Sequence, residues 1–135
     1  MLYNEIMNVT FFDDPFQAPK EPDEVRIKQI GLFVHEDGRR VMFGLELTSF
    51  RQRPSIAVDV RNAKGEFAGS LNVIEQLSPN FSLMLHLRDS APTNPYTLTC
   101  VVYYREPGEA GKIVDQMDVT FESTETGEHL FKPEQ

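Results

Sequence analysis

The chain has 135 residues, of which 40% are hydrophobic, and a formal net charge of −8 at pH 7. This length predicts one domain with enough buried surface for an independent core. The excess of 21 acidic over 13 basic residues argues against nucleic-acid binding, which depends on neutralising phosphates, and against contact with an anionic membrane.

The start of the chain and its cysteine content indicate a compartment. Residues 1–24 contain no basic region followed by a long apolar core, so they do not resemble a signal peptide. No apolar run reaches the length of a membrane-spanning helix. Cys100 is the only cysteine, which excludes an intrachain disulfide. We therefore expect a cytoplasmic protein in a reducing environment.

The first hairpin is predicted at Asp37-Gly38, between two runs of alternating apolar residues. An Asp-Gly pair in this setting is typical of a two-residue type I′ turn, in which both central residues have positive φ. Closing the chain there aligns apolar residues on one face, because side chains alternate between the faces of a strand. The aligned pairs are Ile30 with Leu45, Leu32 with Phe43, and Val34 with Val41.

The opposite face of this hairpin receives polar and apolar residues in a second set of pairs. They are Phe33 with Met42 and His35 with Arg40. Before Ile30 the apolar alternation changes phase by one residue. This change predicts a β-bulge near Lys28-Gln29.

The second hairpin is predicted at Lys64-Gly65 by the same reasoning. A slip of one residue would expose every apolar side chain of this hairpin, so the sequence specifies its register. The aligned pairs are Ile56 with Val73, Val58 with Leu71, and Val60 with Gly69.

Alternating apolar residues between turn-forming residues predict seven strands. They cover residues 25–35, 40–50, 55–62, 67–74, 81–88, 96–105 and 112–122, and an eighth is left open at 2–11. Short strands without helices indicate an all-β fold, an antiparallel two-sheet β-sandwich of seven to eight strands, with a barrel as the alternative. The expected core residues are Ile30, Leu32, Val34, Phe43, Leu45, Ile56, Val58, Leu71, Leu83, Leu85, Leu98, Cys100, Val102 and Val119.

Composition divides the chain into three segments. Residues 1–24 combine the open strand with a proline-rich acidic stretch, residues 25–122 hold the sandwich, and residues 123–135 form an acidic tail. Composition does not decide whether this tail is ordered or disordered. Its only apolar anchor is Leu130-Phe131, which could cover apolar surface elsewhere on the same chain.

Tyr96 opens a late strand after a turn-rich loop at 92–95. This placement resembles the tyrosine corner of immunoglobulin-like and fibronectin type III-like sandwiches. The resemblance covers roughly residues 25–122 and implies an immunoglobulin-like architecture. Leu98 stands where an antibody domain has a cysteine, and the chain contains no tryptophan. The resemblance therefore extends to the architecture and to no specific family.

Residues that could bind a metal or perform catalysis are scattered along the chain. His35, His86 and His129 are far apart, and none has a second ligand at metal-binding spacing. No nucleophile motif or phosphate-binding glycine loop occurs. Cys100 has the inward parity of its strand and is interpreted as a small buried apolar residue. We expect no catalytic residue, no metal and no cofactor, and the chain is predicted not to be an enzyme.

Asp115 is the one charge at an inward-facing position of the predicted strand 112–122. It is expected opposite Tyr104. A hydrogen bond to a tyrosine hydroxyl, or an ion pair with Lys112 at the end of the sheet, would account for it without catalysis.

The candidate interaction surface consists of outward-facing residues in two clusters. Aromatic, methionine and arginine side chains are enriched at the centres of protein interfaces. The first cluster contains Phe33, Met42 and Arg40, and the second contains Val101, Tyr103 and Val114.

These observations predict a non-enzymatic protein–protein interaction module. Its partner is another protein or a second copy of the chain, because one self-complementary patch suffices for a two-fold homodimer. Two alternatives stay open: a sandwich or barrel that binds a small ligand or a carbohydrate, and a structural subunit of a larger assembly. An enlarged cavity with convergent polar groups would favour ligand binding, and a symmetric apolar interface would favour the interaction module.

Overall fold

The structure is a computed structural model that describes residues 18–133. The described part contains eight strands, named in chain order. They are β1 (Ile27–Val34), β2 (Arg40–Leu47), β3 (Ser55–Arg61), β4 (Phe67–Val73), β5 (Asn80–His86), β6 (Tyr96–Tyr104), β7 (Lys112–Phe121) and β8 (Gly127–Phe131). A short 3₁₀ turn at Pro22–Glu24 precedes β1. The strand left open at 2–11 lies outside the described residues.

Two antiparallel sheets of four strands form the sandwich. Sheet A has the order β5-β2-β1-β8, and sheet B has the order β4-β3-β6-β7. The all-β, two-sheet fold class is therefore confirmed. All seven predicted strands are present, with ends that differ from the predicted ones by a few residues.

The register of β1 with β2 is the predicted one. The shared pairs include Ile30 with Leu45, Leu32 with Phe43, and Val34 with Val41. The register shifts between Ile27 and Gln29, which confirms the predicted β-bulge. The register of β3 with β4 is also as predicted, with Ile56 opposite Val73, Val58 opposite Leu71, and Val60 opposite Gly69.

The turn between β1 and β2 differs from the predicted type I′ geometry. Gly38 has a φ of 68°, but Asp37 does not adopt positive φ. The Asp37 carboxylate instead accepts hydrogen bonds from the backbone N–H groups of Arg39 and Arg40 at 2.9 and 3.0 Å. This arrangement, in which an aspartate satisfies backbone donors two and three residues ahead, stabilises a longer connection.

The inner faces of both sheets supply the core, and all but two of the predicted core residues are buried. Leu71 is half-buried and packs against the core. Leu83 is 40% exposed, so its assignment to the core is wrong. Leu83 lies on β5, an edge strand of sheet A, but its exposure is local to that position, because Leu85 on the same strand is 1% exposed.

The acidic tail contributes a strand to the sandwich. β8 pairs antiparallel with β1, and Phe131 lies opposite Ile30. Phe131 packs against the core, whereas Leu130 faces outward and is 58% exposed. Gly127 and His129 occupy the other inward positions of β8, so the backbone pairing with β1 and the single Phe131 side chain hold this polar segment on the sandwich. The sandwich therefore continues past residue 122 to residue 131.

A register shift between Val102 and Tyr103 reverses the sides of two residues at the start of β7. Ile113 stands opposite Tyr103 and is exposed, whereas Val114 packs against the core. The predicted outward position of Val114 is therefore wrong. An extra residue in one strand of a pair reverses the alternation of side chains beyond it, and this shift cannot be read from the apolar pattern alone.

Asp115 has a different partner from those predicted. It lies opposite Val102 rather than Tyr104. Its Oδ2 accepts a hydrogen bond from the Ile27 backbone N–H at 2.8 Å, and its Oδ1 accepts one from the Gln116 N–H at 2.9 Å. The carboxylate therefore links the start of β1 in sheet A to the edge strand of sheet B.

Candidate interaction surface

The structure places the candidate residues on both outer faces of the sandwich. Phe33, Met42 and Arg40 lie on the outer face of sheet A. Val101 and Tyr103 lie on the outer face of sheet B, across the core from the first three. The two clusters therefore do not form one continuous surface.

A row of large side chains crosses sheet A from edge to edge. From β5 to β8 it consists of Met84, Met42, Phe33 and Glu128, and we call it the Phe33 row. Phe33 is 46% exposed, and the two methionines are half-buried. The Phe33 ring packs edge-to-face with the His35 ring at a centroid distance of 5.1 Å.

A row without large side chains in its middle lies beside the Phe33 row. From β5 to β8 it consists of Ser82, Gly44, Gly31 and Leu130, and we call it the glycine row. A hollow of about 420 Å³ opens over it, bordered by Gln29, Glu46 and Asn80 among others.

Nothing within the described chain requires glycine at these two positions. Neither Gly31 nor Gly44 has positive φ. A Cβ at Gly31 would meet Leu130 Cδ2 at 3.4 Å, and one at Gly44 would meet Ser82 Oγ at 3.4 Å; both neighbours are ends of flexible side chains. Glycine in a strand interior costs about 0.5–1 kcal/mol relative to alanine. Such a glycine often marks a place where another molecule or backbone approaches closely.

Polar rows border both of these rows on sheet A. Beyond the Phe33 row lie His35, Arg40 and His86, and beyond the glycine row lie Gln29, Glu46 and Asn80. Arg40 forms an ion pair with Asp37 at 2.7 Å, and Glu46 forms one with Lys28 at 3.3 Å. All four side chains are more than a third exposed, and such pairs contribute about 0–1 kcal/mol. Hydrogen bonds from the backbone N–H groups of Arg40 and Arg39 hold the pKa of Asp37 well below its usual range.

Sequence reasoning found the centre of the sheet A face and missed its extent. Met84 already has the outward parity of its strand, but its place beside Met42 depends on the pairing of β5 with β2. Leu130 extends the apolar surface of sheet A rather than covering it, because β8 continues the sheet beyond β1. The only sequence signal for the glycine row is that Gly31 and Gly44 fall opposite each other in the predicted register.

The outer face of sheet B is mostly polar. Tyr103 is half-buried and lies between Ser55 and Ile113. One row across the sheet carries Asp59, Thr99 and Asp118, with Ser70 at its β4 end. Charged and hydroxyl side chains at alternate positions are typical of a sheet face that is exposed to water. Sheet A therefore carries the stronger candidate surface.

A cleft of about 680 Å³ separates the edges β7 and β8. Its apolar wall includes Ile27, Val119 and Phe131, and Asp115 lies at its rim. Both Asp115 oxygens accept backbone hydrogen bonds, so the carboxylate serves the fold. Gln116, Asp118, Thr120 and Lys132 also line the cleft, and polar side chains of this kind could orient a small ligand there.

No group of three histidine, cysteine, aspartate or glutamate side chains within residues 18–133 is arranged to hold a metal. His35 contacts Phe33, and His86 lies opposite Arg40. His129 Nε2 is 2.8 Å from the Glu125 carbonyl. His35 and His86 therefore lie on either side of Arg40 in one row of sheet A, and His129 lies apart from them on β8.

Cys100 is fully buried, and burial raises the pKa of its thiol to about 12. We expect native protein at neutral pH to react slowly with a thiol reagent, because the thiolate is the reactive form. Adding denaturant should accelerate labelling to the rate of a free cysteine. Rapid stoichiometric labelling of the folded chain would contradict this assignment.

Tyr96 closes the loop before β6. Its hydroxyl donates to Asp89 Oδ2 at 2.9 Å and accepts a hydrogen bond from the Thr93 backbone N–H at 3.0 Å. The Asn62 amide also donates to the Asp89 carboxylate, at 3.2 Å. This network fixes one end of the sandwich and leaves the outer faces untouched.

Within residues 18–133, no helix is long and apolar enough to cross a membrane. No protein-family model matches the sequence, and no curated protein matches it. Solved structures with similarity include the beta-glucuronidase of Bifidobacterium dentium complexed with coumarin-3-O-glucuronide and that of Ruminococcus gnavus, with TM-scores of 0.47 and 0.44. Both are 15% identical over 73% of this chain, which spans 18% and 16% of their lengths.

Proposed function

We propose that this chain is a non-enzymatic interaction module that binds a protein partner through the outer face of sheet A. The observation that carries the proposal is the Phe33 row with Leu130 beside it. Phe33 and Leu130 expose about half of their surface. Contiguous exposed apolar surface on a folded domain marks an interaction site more often than chance placement.

The composition of this face supports a protein partner. Phenylalanine and methionine are enriched in interface centres, whereas charged residues are depleted there. Methionine side chains also adapt to differently shaped partners. The Phe33 and glycine rows hold a single charge, Glu128 at the β8 edge, although the chain carries a net charge of −8.

An immunoglobulin-like architecture is part of this proposal. The order of strands in the two sheets agrees with the immunoglobulin scheme. In that scheme β1, β2 and β5 correspond to the immunoglobulin strands named A, B and E, and β3, β6 and β7 correspond to those named C, F and G. Tyr96 then stands at the start of strand F, with its hydroxyl bonded to the backbone three residues upstream, as in a tyrosine corner. β8, which extends sheet A beside β1, has no counterpart in that scheme.

A non-catalytic role in a reducing compartment such as the cytoplasm completes the proposal. The single cysteine is buried, and its thiol pKa is raised, which suits a chain that forms neither a disulfide nor a thiolate nucleophile.

Capture of proteins from a native lysate by three immobilised variants tests the proposed function. We expect wild type to retain a partner that Phe33→Glu loses, because a carboxylate in the centre of the face cannot be buried unpaired. Thr97→Glu, an exposed position on the outer face of sheet B, is the matched control and should retain the partner. Equal capture by Phe33→Glu and wild type would contradict the proposal. Binding of a polysaccharide that Phe33→Glu leaves unchanged would favour the carbohydrate alternative.

A further inference from the structure

We propose that the outer face of sheet A binds a second copy of this chain, so that the Phe33 row of each copy fills the glycine row of the other. The inference rests on the proposed function, because it names the partner of the same face. The two rows lie two residues apart on every strand, which is about 7 Å. The Phe33 row therefore forms a ridge that runs parallel to the hollow over the glycine row. A face of this shape can pack against a second copy of itself, with each ridge in the other copy's hollow.

A two-fold axis lets one face supply both halves of this contact. When the axis lies in the interface, perpendicular to the strands and midway between the rows, it exchanges the two rows. Phe33 of one copy then faces Gly31 of the other, and Met42 faces Gly44. Paired strands of the two copies run antiparallel, close to the aligned packing of stacked sheets.

The same axis also brings opposite charges together. It exchanges the row that holds Arg40 with the row that holds Glu46, so Arg40 of each copy faces Glu46 of the other. Within one copy, Arg40 pairs with Asp37 and Glu46 pairs with Lys28. These ion pairs are exposed, so replacing them by pairs between the copies costs little. The charge pairs and the fit of bulky side chains into the hollow therefore favour the same alignment of the two copies.

The glycine pair favours a second copy over an unrelated protein. Gly31 and Gly44 are not required by backbone geometry or by contacts within the described chain. They match the two central bulky residues, Phe33 and Met42, strand for strand. An unrelated partner would impose no such match between two rows of the same face.

The size of the face suits a weak dimer. Strands about 4.8 Å apart with a rise of about 3.3 Å per residue give a four-stranded face of roughly 500 Å², when the longest strands have eight residues. Two faces then bury roughly 1,000 Å², the lower limit for a stable interface. The net charge of −8 on each copy opposes association. We expect a dissociation constant in the micromolar range.

Sedimentation equilibrium of the full chain measures this association. Gly44→Val should weaken the dimer about tenfold or more, because its side chain takes the space of Met42 from the other copy. Gly44→Ala adds only a Cβ, 3.4 Å from Ser82 Oγ; it should act in the same direction and remains informative if the valine variant misfolds. Ala57→Val adds similar bulk to the outer face of sheet B and should leave the dimer unchanged.

A charge exchange tests the register. Arg40→Glu and Glu46→Arg should each weaken the dimer about threefold to tenfold. The double variant should restore the wild-type dissociation constant, because the opposite charges then meet again between copies. Residues 40 and 46 lie six positions apart on one strand, which is about 20 Å, so an interaction within one chain cannot produce this rescue.

The outcomes separate this inference from the proposed function. A wild type that is monomeric at every concentration overturns the dimer, as does a dimer that neither Gly44→Val nor Arg40→Glu weakens. A wild-type monomer that dimerises after removal of residues 1–17 also overturns it and assigns the face to that segment. The proposed function is contradicted separately, if Phe33→Glu captures partner proteins as well as wild type does.

Discussion

Replacing Leu85 by alanine is expected to lower the free energy of unfolding by about 2–5 kcal/mol. Leu85 is 1% exposed and lies on β5 opposite Val41, which is also buried. The truncation removes apolar contacts and leaves a cavity that neighbouring side chains fill only in part. Urea unfolding monitored by circular dichroism measures the change.

Leu83→Ala is the matched control for this prediction. It is the same substitution on the same strand, two residues away and on the same side, but Leu83 is 40% exposed. Its cost should be about 1 kcal/mol or less, because much of the side chain already contacts water. A loss below about 0.5 kcal/mol for Leu85→Ala, or equal losses for both variants, would contradict the assignment of Leu85 to the core.

The difference between these two leucines shows which structural features the sequence predicts and which it does not. Parity alone places Leu83 and Leu85 on the inner face of β5, and the structure agrees on the side of both. Parity does not say how deeply each inward position is buried. Both leucines lie on the same edge strand, so their different burial depends on the side chains that distant parts of the chain pack over each of them.

Hairpin registers were predictable because the turn and the two strands are adjacent in sequence. Gly38 and Gly65 fix where the chain reverses in each hairpin, and the apolar alternation then sets the pairs outside the register shifts at Ile27/Gln29 and Val60/Arg61. The bulge in β7 was not predictable, because both Ile113 and Val114 are apolar and either could face the core. Nothing local chooses between them.

The candidate surface was likewise predictable only where its residues are close in sequence. Phe33 and Met42 were predicted as an outward pair, because they belong to one hairpin. Met84 and Leu130 join that pair only through the long-range neighbours β5 and β8. The apolar surface therefore became continuous across four strands only once the sheet order was known.

Replacing Tyr96 by phenylalanine is expected to lower the free energy of unfolding by about 1–3 kcal/mol at neutral pH. The side chain is 1% exposed, and its hydroxyl bonds Asp89 and the Thr93 N–H. Phenylalanine keeps the ring, which stacks on Phe121 at 5.6 Å, so the loss reports on the hydroxyl. Tyr104→Phe is the control, because its hydroxyl forms an exposed bond, and its cost should stay within about 0.5 kcal/mol.

The destabilisation caused by Tyr96→Phe is expected to shrink in acid. The hydrogen bond from the Tyr96 hydroxyl, aided by one from Asn62, lowers the pKa of Asp89 below its usual value. A carboxylate whose pKa is lower in the folded chain stabilises it above the unfolded pKa of about 3.9, and this contribution is lost as the pH falls through the folded pKa. The variant lacks the largest part of this contribution, so the unfolding free energies of the two proteins should converge below about pH 4. Urea unfolding at about pH 7 and about pH 3 measures the convergence. A difference that stays constant or grows in acid would show that Asp89 is not coupled to this hydroxyl.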